Sequence, residues 1–158
     1  MMNVETAPAP RIKNPAALLP GAMEGIQGVI GAAHKGGAPQ DILHLVHLRV
    51  SQINGCAPCI DGGAKHARQA GVSDEKLFGV AAWREMPYFS PAERSALALA
   101  EAMTRLADRP EPVPDDVWDE AAKHYDQRAL AGLVLWIGTT NLFNRVNVAT
   151  RQIAGAAW

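Results

Sequence analysis

Ile42-Leu43-His44-Leu45-Val46-His47-Leu48-Arg49-Val50-Ser51-Gln52-Ile53-Asn54-Gly55-Cys56-Ala57-Pro58-Cys59 is the stretch that decides the fold. Ile42, Leu43, Leu45, Val46, Leu48, Val50 and Ile53 cover most of a helix circumference, which predicts a central helix buried on nearly all sides. Asn54-Gly55 breaks it. The chain has two cysteines, and both follow this break three residues apart, Cys56 and Cys59. A new helix beginning there puts both sulfurs within one turn, so a disulfide can close with little backbone movement. The helix N-terminus carries free N–H groups and partial positive charge, which favour a thiolate over a thiol. The thiolate is the form that attacks peroxides and disulfides.

Outward from this segment, apolar periodicity near 3.6 runs almost everywhere, and strand-like alternation bounded by turns is absent. The chain therefore reads as all-α. A helix is expected over about Ala16–His34, interrupted near Pro20-Gly21, and the central one over about Gln40–Ile53. The cysteine helix should run to Ala70, with Gly71 as its stop. Ser73 caps a short helix to about Trp83. Ser90-Pro91-Ala92-Glu93 is a capping box opening a helix to about Leu106. Pro110, Pro112 and Pro114 stiffen the connector after it. Three more helices are expected: Asp115–His124, Gln127–Thr139 (capped by Asp126) and Thr140–Ala154. Residues 1–15 read as an extended arm ordered against a neighbouring subunit, and 16–158 as a single helical domain.

A chain of 158 residues fits one domain. It can bury roughly 68–70% of its unfolded surface, so a disulfide is not needed for stability. The net charge of −1 and the lack of any Lys or Arg run argue against nucleic acid or an anionic membrane as partner. The first residues have no apolar core of a secretory signal. The apolar stretch Ala129–Ile137 is far short of the ~20 residues of a membrane span. These features make the cytoplasm the expected location. There a Cys-x-x-Cys pair points to redox or metal chemistry rather than a static staple.

The segment Leu48–Cys59, the following Ile60-Asp61, Ala67-Arg68-Gln69-Ala70-Gly71, and the late Asn141-Leu142-Phe143-Asn144-Arg145-Val146-Asn147-Val148-Ala149 together resemble the AhpD-like proteins of the carboxymuconolactone decarboxylase superfamily. The resemblance covers roughly Ile42 to Arg151. It implies an AhpD-like helical bundle that assembles as a homotrimer or hexamer. It also implies hydroperoxide reduction with no bound cofactor: Cys59 is the peroxidatic sulfur and Cys56, nearer the surface, the resolving one. An external dithiol, of lipoyl type in the best-known members, restores the thiols. The family pattern adds a proton relay of a Glu on the helix before the cysteines and a His four residues after the second. Here the corresponding positions are His44 and Gly63, so the dithiol is kept and the usual relay is missing.

What replaces the relay has to come from other residues. His44, at the position of the family's Glu, is a candidate base, since a neutral imidazole can take a proton from a thiol near pH 7. His47 shares its helix face at a spacing of three and reads as a packing or subunit-contact residue. His66 is a weaker candidate, on the face of Cys59 but about 10 Å along the axis. Gly62-Gly63 costs up to ~1 kcal/mol per residue relative to alanine inside a helix. Either another helix packs closely on this bare backbone, or the missing side chains leave a pocket beside Cys59. Both hold if the approaching helix delivers a base. Ser51 and Gln52 are further hydrogen-bonding candidates. Asp61, an anion near Cys59, would oppose thiolate formation and takes no catalytic role. The asparagine stripe Asn141, Asn144, Asn147 reads as a structural network. The tryptophans read as core or interface residues.

The leading reading is a Cys-x-x-Cys peroxidase or thiol–disulfide oxidoreductase. One alternative is a redox-sensing or structural oligomer without turnover. Another is a metal site using Cys56, Cys59 and one or two of His44, His47 and His66, although one Cys-x-x-Cys supplies only half of a tetrahedral zinc shell. A lactone decarboxylase is disfavoured, since no separate acid–base constellation accompanies the cysteines.

Overall fold

Leu43, Leu45, Val46 and Val50 are all but inaccessible to solvent, and the helix that carries them, α3 (Gln40–Asn54), packs against three others. The computed structural model describes residues 9–156. Among these the regular elements are all helical. Before α3 come α1 (Pro15–Leu18) and α2 (Ala22–His34), separated at Leu19–Gly21 as the Pro20-Gly21 signal predicts. After it come α4 (Ala57–Gln69), α5 (Asp74–Gly79), a 3-10 segment (Val80–Glu85), α6 (Pro91–Thr104), α7 (Asp115–His124) and α8 (Gln127–Thr150).

Helix α3 feeds two cores because its apolar residues face two ways. Leu43, Val46 and Val50 join Leu99, Leu133 and Ile137 between α6 and α8. Leu45 and Leu48 join Leu77, Val80, Trp83 and Leu97 under α4 and α5. Each such side chain contributes about 1.5–3 kcal/mol on burial. Ile53, expected in the core, is half-buried, because the helix has there run past both clusters. The caps form as the sequence requires. Ser90 and Glu93 complete the capping box, Ser73 receives the Lys76 N–H, and Asp126 receives the Ala129 N–H.

One expected helix boundary needs correction. The sequence reading ends one helix at Thr139 and starts another at Thr140, but α8 is continuous through both. Their hydroxyls donate to the carbonyls one turn back, Thr139 to Leu135 at 2.7 Å and Thr140 to Trp136 at 2.8 Å. Helix-internal bonding of this kind accommodates the β-branched pair without a break. The expected arm, residues 1–15, is described from Ala9 onward. Residues 1–8 and Trp158 lie outside the described residues, but the remainder of the arm docks on its own chain. The Arg11 N–H donates to Thr150 O at 2.9 Å, Gln152 Nε2 donates to Ile12 O, and Asn14 is buried as the cap of α1. Of the other tryptophans, Trp83 is core and Trp136 is half-buried, whereas Trp118 stays exposed.

Below α3, one buried carboxylate ties three elements together. Glu101 of α6 accepts from Arg49 of α3 at 2.7 Å and from Trp83 Nε1 at 3.0 Å and Arg84 at 2.6 Å in the 3-10 segment. Burial alone would raise its pKa, but the donors from Arg84, Arg49 and Trp83 outweigh it and hold the carboxyl below its usual value of 4.5. A carboxylate with a depressed native pKa stabilises the fold above its unfolded pKa and loses that contribution as the pH falls through the native one. Glu101→Gln keeps the shape and removes the charge. It is expected to lower stability by about 1–3 kcal/mol at neutral pH. In denaturant titrations the gap to wild type should narrow below pH 4.5, and a gap constant with pH would show that the charge is not what matters.

Candidate functional site

The turn between α3 and α4 sets the geometry of the cysteines. Gly55 takes a left-handed φ of 65°, which a residue with a side chain rarely adopts. This reversal lets the Cys56 N–H donate back to Ser51 O at 3.0 Å. Cys56 becomes the N-cap of α4, Pro58 sits in the first turn where no N–H is required, and Cys59 is the third helical residue. The two sulfurs are bonded, with Cα atoms 5.3 Å apart. The closure of the pair within one turn thus follows from the spacing, and a bonded Cys-x-x-Cys pair in this fold fits a redox role.

The exposure of the two sulfurs reverses the expectation. Cys56 is wholly buried, and Cys59 keeps 7% of its surface. The reason is position in the helix. The N-cap residue is tucked against α8, whereas the third helical residue faces a cleft of about 630 Å³ between α2, α4 and α8. Met23, His47, Gly62, His66 and Phe143 line this cleft together with Cys59, and its walls are mostly apolar.

Asn147 of α8 is the side chain that grips the disulfide. It is 1% exposed, and its Nδ2 donates to Cys59 Sγ at 3.3 Å and lies 3.7 Å from Cys56 Sγ. Its Oδ1 accepts from Asn14 Nδ2 at 3.0 Å, which turns the amide nitrogen toward the sulfurs. One turn earlier, Asn144 donates to Ser51 Oγ at 3.1 Å and accepts from Asn54 Nδ2 at 2.9 Å, fastening the end of α3 to α8. The asparagine stripe is therefore buried and structural at Asn144, as the sequence suggests. Sequence reasoning did not assign Asn147 to the sulfurs. The three-residue spacing from Asn144 was the available signal, but the neighbours of that stripe come from 88 and 91 residues away.

The histidines sort differently from the sequence expectation. His44 is half-buried and does not line the cleft; burial, with His34 and His66 nearby, lowers its pKa from the ordinary 6.5. His47, one turn nearer the cysteine end of α3, lines the cleft instead. Burial first, then the charges of His44, His66 and His34, push its pKa down to about 4, so it is neutral at pH 7. Its ring stacks on Trp136 with centroids 5.6 Å apart. His66 is exposed at the cleft mouth.

Both readings of the glycine pair hold, one for each residue. Gly63 is packed against His47, while a Cβ at Gly62 would meet nothing within 4 Å and leaves the cleft open. Ser51 acts through Asn144, and Gln52 turns a buried amide oxygen inward with no protein partner. Asp61 pairs with Lys65 on the outer face of α4 at 2.8 Å. Among the described residues no three His, Cys, Asp or Glu side chains are disposed to hold one metal ion. Nor is any described helix long and apolar enough to cross a membrane.

Residues 20–102 match the family described as the carboxymuconolactone decarboxylase family. The uncharacterized protein YdfG of Bacillus subtilis is 38% identical over 105 residues, which span 66% of this chain and 70% of that protein. The uncharacterized protein YnjA of Escherichia coli is 42% identical over 106 residues, spanning 66% of this chain but only 56% of the relative. Among solved structures, a protein of unknown function from Agrobacterium tumefaciens, described as a candidate AhpD antioxidant defence protein, superposes with a TM-score of 0.85. It is 30% identical and covers 94% of this chain and 100% of its own. The debrominase Bmp8, in complex with 2,3,4-tribromopyrrole, shares the fold with a TM-score of 0.76 at 21% identity, covering 88% of this chain and 74% of its own.

The grip of Asn147 can be tested directly. Asn147→Ala removes the donor to the sulfurs and strands the buried Asn14 amide. Chemical denaturation of the oxidised protein is expected to show a loss of about 1–3 kcal/mol. An unchanged midpoint would mean that these contacts are slack.

Proposed function

The chain belongs to the carboxymuconolactone decarboxylase family, and from that premise we propose that it reduces hydroperoxides with the Cys56–Cys59 dithiol, Cys59 attacking and Cys56 resolving. The observation that carries the reading is the asymmetry of the pair. Cys59 opens onto an apolar cleft, and Cys56 lies behind it, already within bonding distance.

In the reduced protein the Cys59 thiolate attacks the terminal oxygen of a hydroperoxide. The O–O bond breaks, the alkoxide leaves and is protonated to the alcohol, and Cys59 is left as sulfenic acid. The Cys56 thiol then attacks the Cys59 sulfur, water departs, and the disulfide forms. An external dithiol returns both thiols through a mixed disulfide and is itself oxidised. We take that donor to be a dithiol of lipoyl type. The working form is taken as a homotrimer or hexamer, and the compartment as the cytoplasm.

Asn147 supports this sequence of steps in two ways. Its amide N–H reaches both sulfurs, so it can donate to a thiolate on either, and hydrogen bonds to the charged form favour ionisation. Held by Asn14, it needs no reorientation as the charge develops. The start of α4 adds the field of a helix N-terminus at both cysteines.

The reading predicts a fixed stoichiometry. One equivalent of an organic hydroperoxide added to the reduced protein should consume two thiols, as counted by a chromogenic disulfide reagent. Cys59→Ser should abolish peroxide consumption. Cys56→Ser should stop at a sulfenic acid that a dimedone adduct reveals by mass. Peroxide turnover that survives Cys59→Ser refutes the assignment. Dithiol oxidation that is stoichiometric but does not turn over with dihydrolipoamide or another dithiol would favour the sensor alternative.

A further inference from the structure

Gly63 and His47 share one volume between α3 and α4. A Cβ built on Gly63 would fall 2.6 Å from His47 Nδ1 and 2.9 Å from its Cε1. The imidazole thus stands where a side chain at position 63 would begin. Position 63 is one turn beyond Cys59 on the same helix, and Cβ atoms four residues apart lie about 5–6 Å from each other. That places the ring on the face of α4 that carries Cys59. Both residues line the same cleft. The stacked Trp136 ring, itself anchored by its Nε1 donating to Leu43 O at 2.8 Å, limits the imidazole's orientation.

We propose that His47 is the proton acceptor that generates the Cys59 thiolate. The proposal rests on the dithiol reading above. It selects among the histidines on geometry: His44 does not line the cleft, and His66 lies seven residues beyond Cys59 at the exposed rim, about 10 Å along the axis.

The proton balance closes on this one ring. Cys59 gives its proton to His47, and the thiolate attacks the peroxide. The departing alkoxide then takes the proton from the imidazolium, so the ring ends neutral and Cys59 ends as sulfenic acid. The titratable groups facing His47 are His44 on its own helix, His66 on α4 and His34 on α2. All three disfavour an imidazolium, as does burial, and with the disulfide closed they hold the ring neutral at pH 7. A thiolate at Cys59 is the anion that reverses this balance, so proton transfer and thiolate formation support each other. Positioned proton transfer of this type is worth typically 10²–10⁴-fold in rate, which is why the ring matters beyond packing.

The test uses the reduced full-length protein carrying Cys56→Ser, so that Cys59 is the one thiol. Its alkylation by iodoacetamide is followed across the thiol titration range. His47→Ala and His47→Gln are expected to move the midpoint upward, leaving about tenfold less thiolate at neutral pH for each pKa unit of the rise. His44→Ala should leave the midpoint in place. Adding Gly63→His to His47→Ala returns an imidazole to the vacated volume and should bring the midpoint back down. His47→Gln keeps most of the side-chain volume, so the comparison stands even where the alanine variant folds poorly. An unchanged midpoint in the His47 variants overturns the proposal. So does a midpoint that rises but is not restored by the histidine at 63, which would assign the effect to packing. Alkylation needs no hydroperoxide. A protein that behaves as expected here yet ignores hydroperoxide refutes the peroxidase reading alone.

Discussion

The hydrogen bonds that α8 extends to the α3–α4 turn are the constraint on which the rest of the site depends. A pair of cysteines at the start of a helix can form a disulfide anywhere; what gives this pair an inner and an outer sulfur is the helix that crosses behind it. Asn144 holds Ser51 and Asn54, and Asn147 holds the sulfurs themselves. The opening onto Cys59 lies between α8, α2 and the bare glycines of α4. Buried polar networks of this kind are costly unless fully satisfied. Here Asn14 completes the arrangement by satisfying the amide oxygen of Asn147.

The position of the glycine pair follows the same logic. A helix interior gains nothing from glycine locally, and two in succession weaken it. Their justification is tertiary. Gly63 makes room for an imidazole arriving from α3, and Gly62 keeps the floor of the cleft clear. A local cost in α4 is thus exchanged for a polar group brought from a different helix into the cleft that Cys59 lines.

Much of the architecture was legible from residue order. The central helix, the turn at Asn54-Gly55, the caps at Ser73, Ser90 and Asp126, and the break near Pro20-Gly21 are local events, and each carries its cause within a few residues. The exceptions were local competitions decided by context. The expected boundary at Thr139-Thr140 does not form, and both hydroxyls donate to carbonyls one turn back inside a continuous α8. The ordering of Arg11 to Asn14 on the C-terminal turn of the same chain could not be seen, because the partners lie more than 130 residues away.

From the sequence alone came the all-helical class, the pairing of Cys56 with Cys59 and the family to which the chain belongs. These rest on periodicity, on a spacing of three and on contiguous motifs, all of which are properties of neighbours along the chain. Only the tertiary structure decided which sulfur faces the cleft, that Asn147 reaches both, and that His47 rather than His44 stands beside Gly63. Those outcomes depend on how α2, α4 and α8 cross α3. Crossing geometry is set by the packing of whole helical faces, which no short segment of the chain encodes.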